Sequence, residues 1–383
     1  MIATLLAGCA LAIWVYLIAA RGGFWRCAER DDAGRPPAQW PAVTAVIPAR
    51  DEADGVGETI GSLLRQNYPG LFTLVLVDDQ STDGTAEAAR RAAEAAGSAD
   101  RLTIVAGVRL PQGWTGKLWA MRQGVEKAAE TAPAFLLFTD ADIVYAPDVL
   151  GRLVSRATTE NLTLVSLMAK LRCVSFVERA LIPAFIFFFQ MLYPFSWVNR
   201  RDNPCAAAAG GCMLVRCEAL AAAGGVESIR DALIDDCALA VRLKAQGPIR
   251  LALTDRVTSG RPYPTFQEAR TMIARSAYAQ LRYSPLLLVG TVAGLTLTYL
   301  VPPLVALFGR GLAQDMALAA WTLMAIALQP TLSFYRVSPL WGIALPAIAF
   351  IYMTFTLDSA YQHARGRGGY WKGRAQARAV RSP

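Results

Sequence analysis

The sequence predicts an α/β catalytic domain on a mostly parallel sheet, held between N-terminal and C-terminal transmembrane helices. Three observations lead there. Apolar residues make up 54% of the 383 positions, more than a soluble enzyme of this size carries. Long uncharged runs lie at both ends of the chain. Between them, short strand-like runs alternate with helix-like ones, the pattern of a parallel sheet covered by helices.

Residues 2–20, IATLLAGCALAIWVYLIAA, are uncharged and long enough to cross a bilayer. No basic residue precedes them and Arg21 and Arg26 follow, the wrong flank for a cleaved signal peptide. The stretch 1–21 therefore reads as an uncleaved anchor, amino end outside and main body in the cytoplasm. Next comes a domain over 41–284. AVTAVIP (42–48) reads as a buried strand and GVGETIGSLLRQ (55–66) as a helix; FTLVLVDD (72–79) is a strand, and DGTAEAARRAAEAAG (83–97) an Ala-rich helix closed by glycine. RLTIVAG (101–107), a helix beginning near Lys117, and AFLLFTDAD (134–142) continue the alternation. The apolar stretch 179–201 is long enough to pass for another span, but crossing there puts Asp142 and Asp236 on opposite sides of the bilayer. It reads as an amphipathic or interfacial helix pair broken near Pro194, or as a core helix of the domain.

Three further apolar stretches, 285–308, 316–335 and 338–358, fill a C-terminal membrane region at 285–360, before a basic tail at 361–383. Prolines at 302, 303, 330, 339 and 346 kink them, which membrane helices tolerate. Three crossings leave the tail outside, against its Arg and Lys content; either one stretch is re-entrant or interfacial, or the charge rule fails here.

A net charge of +8 suits anionic lipid headgroups and phosphorylated substrates, and no aromatic-studded basic stripe supports nucleic acid as a partner. Seven cysteines form no CxxC pair and His363 is the single histidine, which argues against a zinc site and for cysteines as apolar fillers in a reducing compartment. In parallel α/β sheets ligands gather beyond the carboxyl ends of the strands, where Asp78, Asp79, Asp140 and Asp142 all fall. Clustered carboxylates repel unless a cation sits among them, and hard divalent ions take carboxylate and diphosphate oxygens together. The rim suits a metal diphosphate.

VIPARDEADGVGETIGSLLRQNYP, VDDQSTDGT, TDADIVYAPD and IDDCALAVRLKAQG occur in the order and spacing of family 2 glycosyltransferases, which the chain resembles over residues 42–284 and whose catalytic domain has the GT-A fold. GWTGKLWA, AAAAGGCMLVR, ALIDDCALA and AYAQLRYSP further resemble the hopanoid-biosynthesis-associated branch, related to membrane enzymes that glycosylate carotenoids and ceramide. The resemblance implies that Pro48, Ala49 and Asp51 line a nucleotide pocket and that Asp79 accepts from a uracil ring. It implies that Asp140 meets the ribose or the metal's water shell while Asp142 coordinates Mg²⁺ or Mn²⁺. In the family the second acid of a Glu-Asp block is the general base; by position that is Asp236, with Asp235 in place of the usual glutamate. Lys117 either reaches the diphosphate or begins a helix in solvent, and Asp148 reads as a helix-start residue. Arg275 and Arg282 lie where processive relatives carry Gln-x-x-Arg-Trp; the Gln280-Leu281-Arg282-Tyr283 found here departs from it and points to one sugar per acceptor. Gly210, Gly211 and Cys212 resemble the acceptor-side strand, and the tail motif at Trp371, Lys372 and Arg374 recurs in lipid-modifying relatives.

The implied function is inverting transfer of a sugar from a nucleotide-sugar donor, a UDP-sugar, to a hopanoid-like or related isoprenoid lipid acceptor at the bacterial inner membrane, catalytic domain cytoplasmic. An idle nucleotide-sugar-binding membrane protein leaves Asp236 without a purpose, and a metal-dependent nucleotidyltransferase leaves the second acidic pair without one.

Overall fold

Strand β1 (Val43–Ala49) is buried along its whole length, because both faces of the sheet are covered. The computed structural model describes residues 1–368 and the backbone of two short strands at Tyr370–Trp371 and Arg374–Ala375; the side chains of Trp371, Lys372 and Arg374 lie outside the described residues. Around β1 stand β2 (Phe72–Asp78), β3 (Leu102–Ala106), β4 (Phe135–Phe138), β5 (Ile143–Tyr145), β6 (Leu164–Lys170), β7 (Met213–Arg216) and β8 (Ile249–Ser259), in the order β3-β2-β1-β4-β7-β6-β8-β5. β1, β2, β3, β4, β6 and β8 run one way, whereas β7 and β5 run against their neighbours. The mostly parallel sheet expected from sequence is thus a mixed one. The reversals have local causes: β5 follows β4 after a four-residue turn too short for a crossover, and β7 returns after the long excursion through 171–212.

Alternate residues of each strand feed opposite cores. Ala45, Ile47, Leu74, Leu76, Phe135 and Leu137 pack with the helices Ala53–Leu64, Thr85–Ala95 and Val149–Thr159. Val46, Val75, Val77, Leu136 and Phe138 pack with the helices Gly116–Ala128 and Asp235–Lys244. Gly124 is required where the first of these crosses the sheet, since a Cβ there would lie 2.4 Å from Val46 Cγ1.

The helix pair anticipated at 179–201 is Phe176–Leu192 followed by Phe195–Val198, with the break at Tyr193 and Pro194. Ser-x-x-Glu starts the first: Ser175 Oγ accepts from the Glu178 amide at 3.1 Å, and the Glu178 carboxylate accepts from the Ser175 amide at 2.8 Å. Ile182 and Ile186 of this helix face the sheet domain, while Phe187 faces Trp14, Tyr299 and Leu328 of the terminal helices. It is the layer between the two.

Among the described residues, three helices are long and apolar enough to cross a membrane: Ile2–Ala20, Pro285–Phe308 and Leu312–Tyr335. Gly8 lies against Met316 and the Cys27 thiol meets the Thr331 hydroxyl at 3.4 Å, so the first and third run parallel. The second runs against them, with Ala306 at Ala7 and Thr298 at Trp14. Pro302 has no N–H to give the carbonyl of Thr298 four residues back; that carbonyl, in a π-helical turn, accepts instead from Trp14 Nε1 at 2.9 Å. Leaving it unpaired would cost about 1–3 kcal/mol.

The last apolar stretch does not continue as a further candidate span among the described residues. After Arg336 the chain folds back beside the helix it has left: the carbonyls of Pro339 and Ile343 accept from Gln329 Nε2 and Trp321 Nε1 at 3.2 and 3.0 Å. It then returns as the helix Leu345–Ala364, which carries Asp358 and packs on the helix Phe266–Gln280.

Candidate active site

β1, β2, β4, β6 and β8 end on one edge of the sheet, where β7 begins. The turn from β4 to β5 carries Asp140 and Asp142 across this rim, because Ile143 at the start of β5 pairs with Ser259 at the end of β8. Ser259 Oγ consequently donates to Asp142 Oδ2 at 3.1 Å, and Arg261 Nε lies 3.4 Å from the same oxygen. Arg261 also grips Glu52, its Nη2 at 2.6 and 2.8 Å from the two carboxylate oxygens. Tyr145 and Thr139 hydroxyls donate to the Gly211 carbonyl at 2.9 and 3.0 Å and fix the glycine pair opposite the turn.

Lys117, in the first turn of the helix Gly116–Ala128, joins the two acidic blocks. Its ammonium is 2.8 Å from Asp140 Oδ1 and 3.1 Å from Asp235 Oδ2. Two carboxylates thus hold its ammonium at the cavity wall. Asp235 and Asp236 open the helix Asp235–Lys244, where the helix amino end favours negative charge. Asp236 accepts from the Gly210 amide at 3.0 Å and the Cys237 amide at 2.7 Å. A Cβ at position 210 would sit 3.3 Å from Lys117 Nζ and 3.5 Å from Asp236 Oδ2, so glycine leaves room for both.

The charges are shared unequally. Burial opposes ionisation of Lys117, yet Asp140, Asp235 and Asp236 outweigh it and hold the ammonium well above the usual lysine range. Burial alone would raise Asp140; Lys117 above all, then Arg275 and Arg261, keeps its carboxyl below the ordinary range. Asp142 is raised by burial, Asp140 and Glu52, which Arg261 and Ser259 only partly offset. Asp236 is pushed up to about 6 by burial and by Asp235, against Lys117 and its two amide donors.

All of these groups but Asp235 line one cavity of about 750 Å³, the size of a small-molecule site. Pro48, Lys117, Asp140, Asp142, Asp236 and Arg275 all face it, with Glu52, Ser259 and Arg261. The opposite wall is apolar: Met168, Leu171, Phe185, Phe189, Tyr263 and Met272. Other positions singled out from sequence lie elsewhere. Ala49 is buried in the sheet core. Asp51 clasps the neighbouring loop, accepting from the Thr82 amide at 2.8 Å. Asp79 is fully buried at the rim, its carboxylate 3.8 Å from Arg50 Nη1. Arg282 follows the helix Phe266–Gln280 in a left-handed turn, φ 53°, exposed and outside the cavity wall. Asp148 caps the helix Val149–Thr159 and pairs with Arg256 at 3.0 Å.

Glu52, Ser259 and Arg261 were not anticipated. Arg261 stands two residues past a strand end, the signal that marked Asp79 and Asp140, but the run IRLALTDRVTS is interrupted by Asp255 and Arg256 and does not read as a buried strand. As for a metal, no group of three or more His, Cys, Asp or Glu side chains is gathered for one among the described residues. Asp140 and Asp142, two carboxylates on one turn facing the cavity, fit a divalent ion that takes its other ligands from a diphosphate and water.

An acidic rim on a mixed α/β sheet thus faces a cavity with charged and apolar lining. Residues 44–224 match the family model described as Glycosyl transferase family 2. The 4,4'-diaponeurosporenoate glycosyltransferase of Staphylococcus aureus (strain USA300) is 34% identical over 105 residues, which are 27% of this chain and 24% of that protein. The match thus spans about a quarter of the curated relative's length. Among solved structures, the mannosyltransferase PcManGT from Pyrobaculum calidifontis, in complex with GDP-Man and Mn²⁺, superposes with a TM-score of 0.52 at 22% identity, over 92% of this chain and 98% of that one. It shares the fold.

Proposed function

We propose that the protein is a membrane-bound inverting glycosyltransferase that moves one sugar from a nucleotide-diphosphate sugar, a UDP-sugar, to the hydroxyl of a lipid, the polycyclic isoprenoids of the hopanoid class foremost. The observation that carries this reading is the two-sided cavity. Its charged side, Lys117, Asp140, Asp142, Asp236, Arg261 and Arg275, suits a diphosphate and a proton transfer; its apolar side, led by Phe185 and Phe189, suits an acceptor that a soluble sugar would not resemble. The Staphylococcus aureus relative, named for a long apolar acceptor, supports the lipid assignment.

In this reading Asp140 and Asp142 hold Mg²⁺ or Mn²⁺, which when bound neutralises charge on the departing diphosphate. Arg261 releases part of its hold on Asp142 and, with Arg275, faces the phosphates. The nucleotide lies along the β1–β2 rim from Pro48, and Asp79 reads the base once Arg50 turns aside. Asp236 takes the proton of the acceptor hydroxyl while that oxygen bonds to the anomeric carbon and the carbon–diphosphate bond breaks, so the configuration inverts. A carboxylate raised to about 6 is a stronger base than a free one and still ionised at neutral pH. Lys117 keeps Asp140 charged and holds Asp235 in place without consuming the proton.

The three apolar helices cross the bacterial inner membrane with the amino end outside and the domain in the cytoplasm. Two crossings after the domain return the chain to its own side, which removes the conflict that a third crossing creates for the basic tail.

The test is turnover by detergent-solubilised protein given a panel of UDP-sugars, Mg²⁺ or Mn²⁺ and membrane lipid extract. The reading expects nucleoside diphosphate and a lipid heavier by one hexose-type residue; release of pyrophosphate, or neither product with any donor, refutes it.

A further inference from the structure

A second recess, of about 380 Å³, opens where the helices Ile2–Ala20 and Leu312–Tyr335 end together and shares no lining residue with the active-site cavity. It is lined by Arg26, Cys27, Arg30, Asp255, Pro330, Ser333, Phe334 and Arg336, of which three are arginines and one is an acid. That acid is already neutralised: Asp255 pairs with Lys170 and lies 3.9 Å from Arg30 Nη1. Arg30 and Lys170 are themselves seated on the Phe334 ring, 4.4 and 4.6 Å from its centroid. Arg26 and Arg336 have no carboxylate partner among the described residues, and both are exposed. Arg336 is moreover held in a left-handed conformation, φ 56°, as the residue that ends its helix. That conformation sets the direction in which the Arg336 side chain leaves the helix end. Two arginines without acids on one concave surface create a field that only an anion relieves, and a planar guanidinium recognises phosphate oxygens in pairs.

We infer that this recess binds the phosphodiester headgroup of an anionic phospholipid, with Arg26 and Arg336 on the phosphate and the acyl chains laid along the exposed sides of the two helices. The inference rests on the membrane placement of those helices but not on the sugar-transfer reaction. A lipid is the source of phosphate that the location favours: the recess sits at the domain-side ends of two apolar helices, where headgroups lie, and basic pockets between such helices take anionic headgroups. A bound lipid would also pin the domain to the bilayer in one orientation, so that the apolar cavity wall meets the membrane surface.

The experiment is native mass spectrometry of the full-length protein in detergent with phosphatidylglycerol, phosphatidylcholine or inorganic phosphate added, for wild type and the Arg26→Gln/Arg336→Gln double variant. Wild type should retain one phosphatidylglycerol in preference to phosphatidylcholine, and the double variant should lose that preference by about tenfold or more, which corresponds to about 1.4 kcal/mol. Equal retention of the two lipids by wild type, undiminished preference in the double variant, or displacement of phosphatidylglycerol by millimolar phosphate would each overturn it. An unchanged circular dichroism spectrum of the double variant excludes misfolding as the cause of lost retention. Because no turnover is measured, failure here leaves the glycosyl-transfer reading standing, and the reverse holds too.

Discussion

Asp236 is placed at a cost. Burial and its neighbour Asp235 raise its carboxyl to about 6, above the unfolded aspartate value, so its folded form is favoured below about pH 4 and that advantage is lost as pH rises through about 6. Asp236→Asn should therefore melt at a higher temperature than wild type at pH 7.5 and show no such gain at pH 4, by thermal unfolding in detergent. Its sugar transfer should fall by about 10²–10⁴-fold with donor affinity unchanged. In the wild type, kcat should decline below pH about 6 as this carboxylate protonates. Lys117 has the opposite character: it is 18% exposed with two carboxylates within 3.1 Å, and Lys117→Met, by stranding them, should destabilise by about 3–5 kcal/mol. The acids were readable because each stands at a strand end or helix start. Lys117 was legible as a residue beginning a helix that either reaches a diphosphate or stands in solvent; its pairing with Asp140 and Asp235 was not, since nothing in GWTGKLWA says which carboxylates fold onto it. The two arginines flanking Gln280 looked equivalent in sequence and are not: Arg275→Ala should lower kcat/KM by about tenfold or more, and the exposed Arg282→Ala by less than about twofold.

Among the elements, the helix Phe176–Leu192 ties membrane and chemistry together through Glu178. This carboxylate is fully buried, and it accepts from the amides of Val174, Ser175 and Tyr263, each at 2.8 Å, and from Arg172 Nη1 at 3.1 Å. Those amides belong to the loop after β6, the helix itself and the loop after β8, so one side chain sets the distance between the apolar wall and Arg261. Glu178→Gln surrenders the charge and one acceptor oxygen; the expected result is a raised KM for the lipid acceptor with KM for the nucleotide sugar unchanged, read from initial rates with each substrate varied. Phe185→Ala with Phe189→Ala should act in the same direction, whereas an equal rise in both KM values would mean that the whole site has shifted. The Ser-x-x-Glu and Thr-x-x-Glu starts of this helix and of Phe266–Gln280 are written in the sequence. The strands β1 to β4 were equally plain, being uninterrupted apolar runs. β6 and β8 were not recognised, because β8 is long, carries Asp255 and Arg256 where it leaves the core, and pairs with β6 across a register shift. With them Ser259 and Arg261 went unseen.

Over the whole molecule, the charge distribution fits the proposed topology. The end of the bundle that holds Met1 and the 309–311 turn offers one side-chain cation, Arg310, while Arg21, Arg26, Arg30 and Arg336 gather at the domain end. Composition revealed the apolar ends of the chain. It did not reveal that the segment after Arg336 folds back into the bundle, since hydropathy measures how greasy a stretch is and not which way it runs. With Cys9 replaced by serine, a cysteine introduced at Arg310 should react with a membrane-impermeant thiol reagent added to intact spheroplasts, and one introduced at Arg365 should react only after lysis. The reverse pattern would place the domain outside and contradict the topology.

The central claim, that one cavity holds the donor at Asp140 and Asp142 while Asp236 deprotonates a lipid hydroxyl, is tested most directly by Asp236→Asn itself. One preparation in lipid nanodiscs would be assayed for UDP-sugar binding by calorimetry and for glycolipid formation by mass spectrometry. The account predicts wild-type donor affinity with glycolipid reduced at least about a hundredfold. Glycolipid formed at the wild-type rate would contradict it.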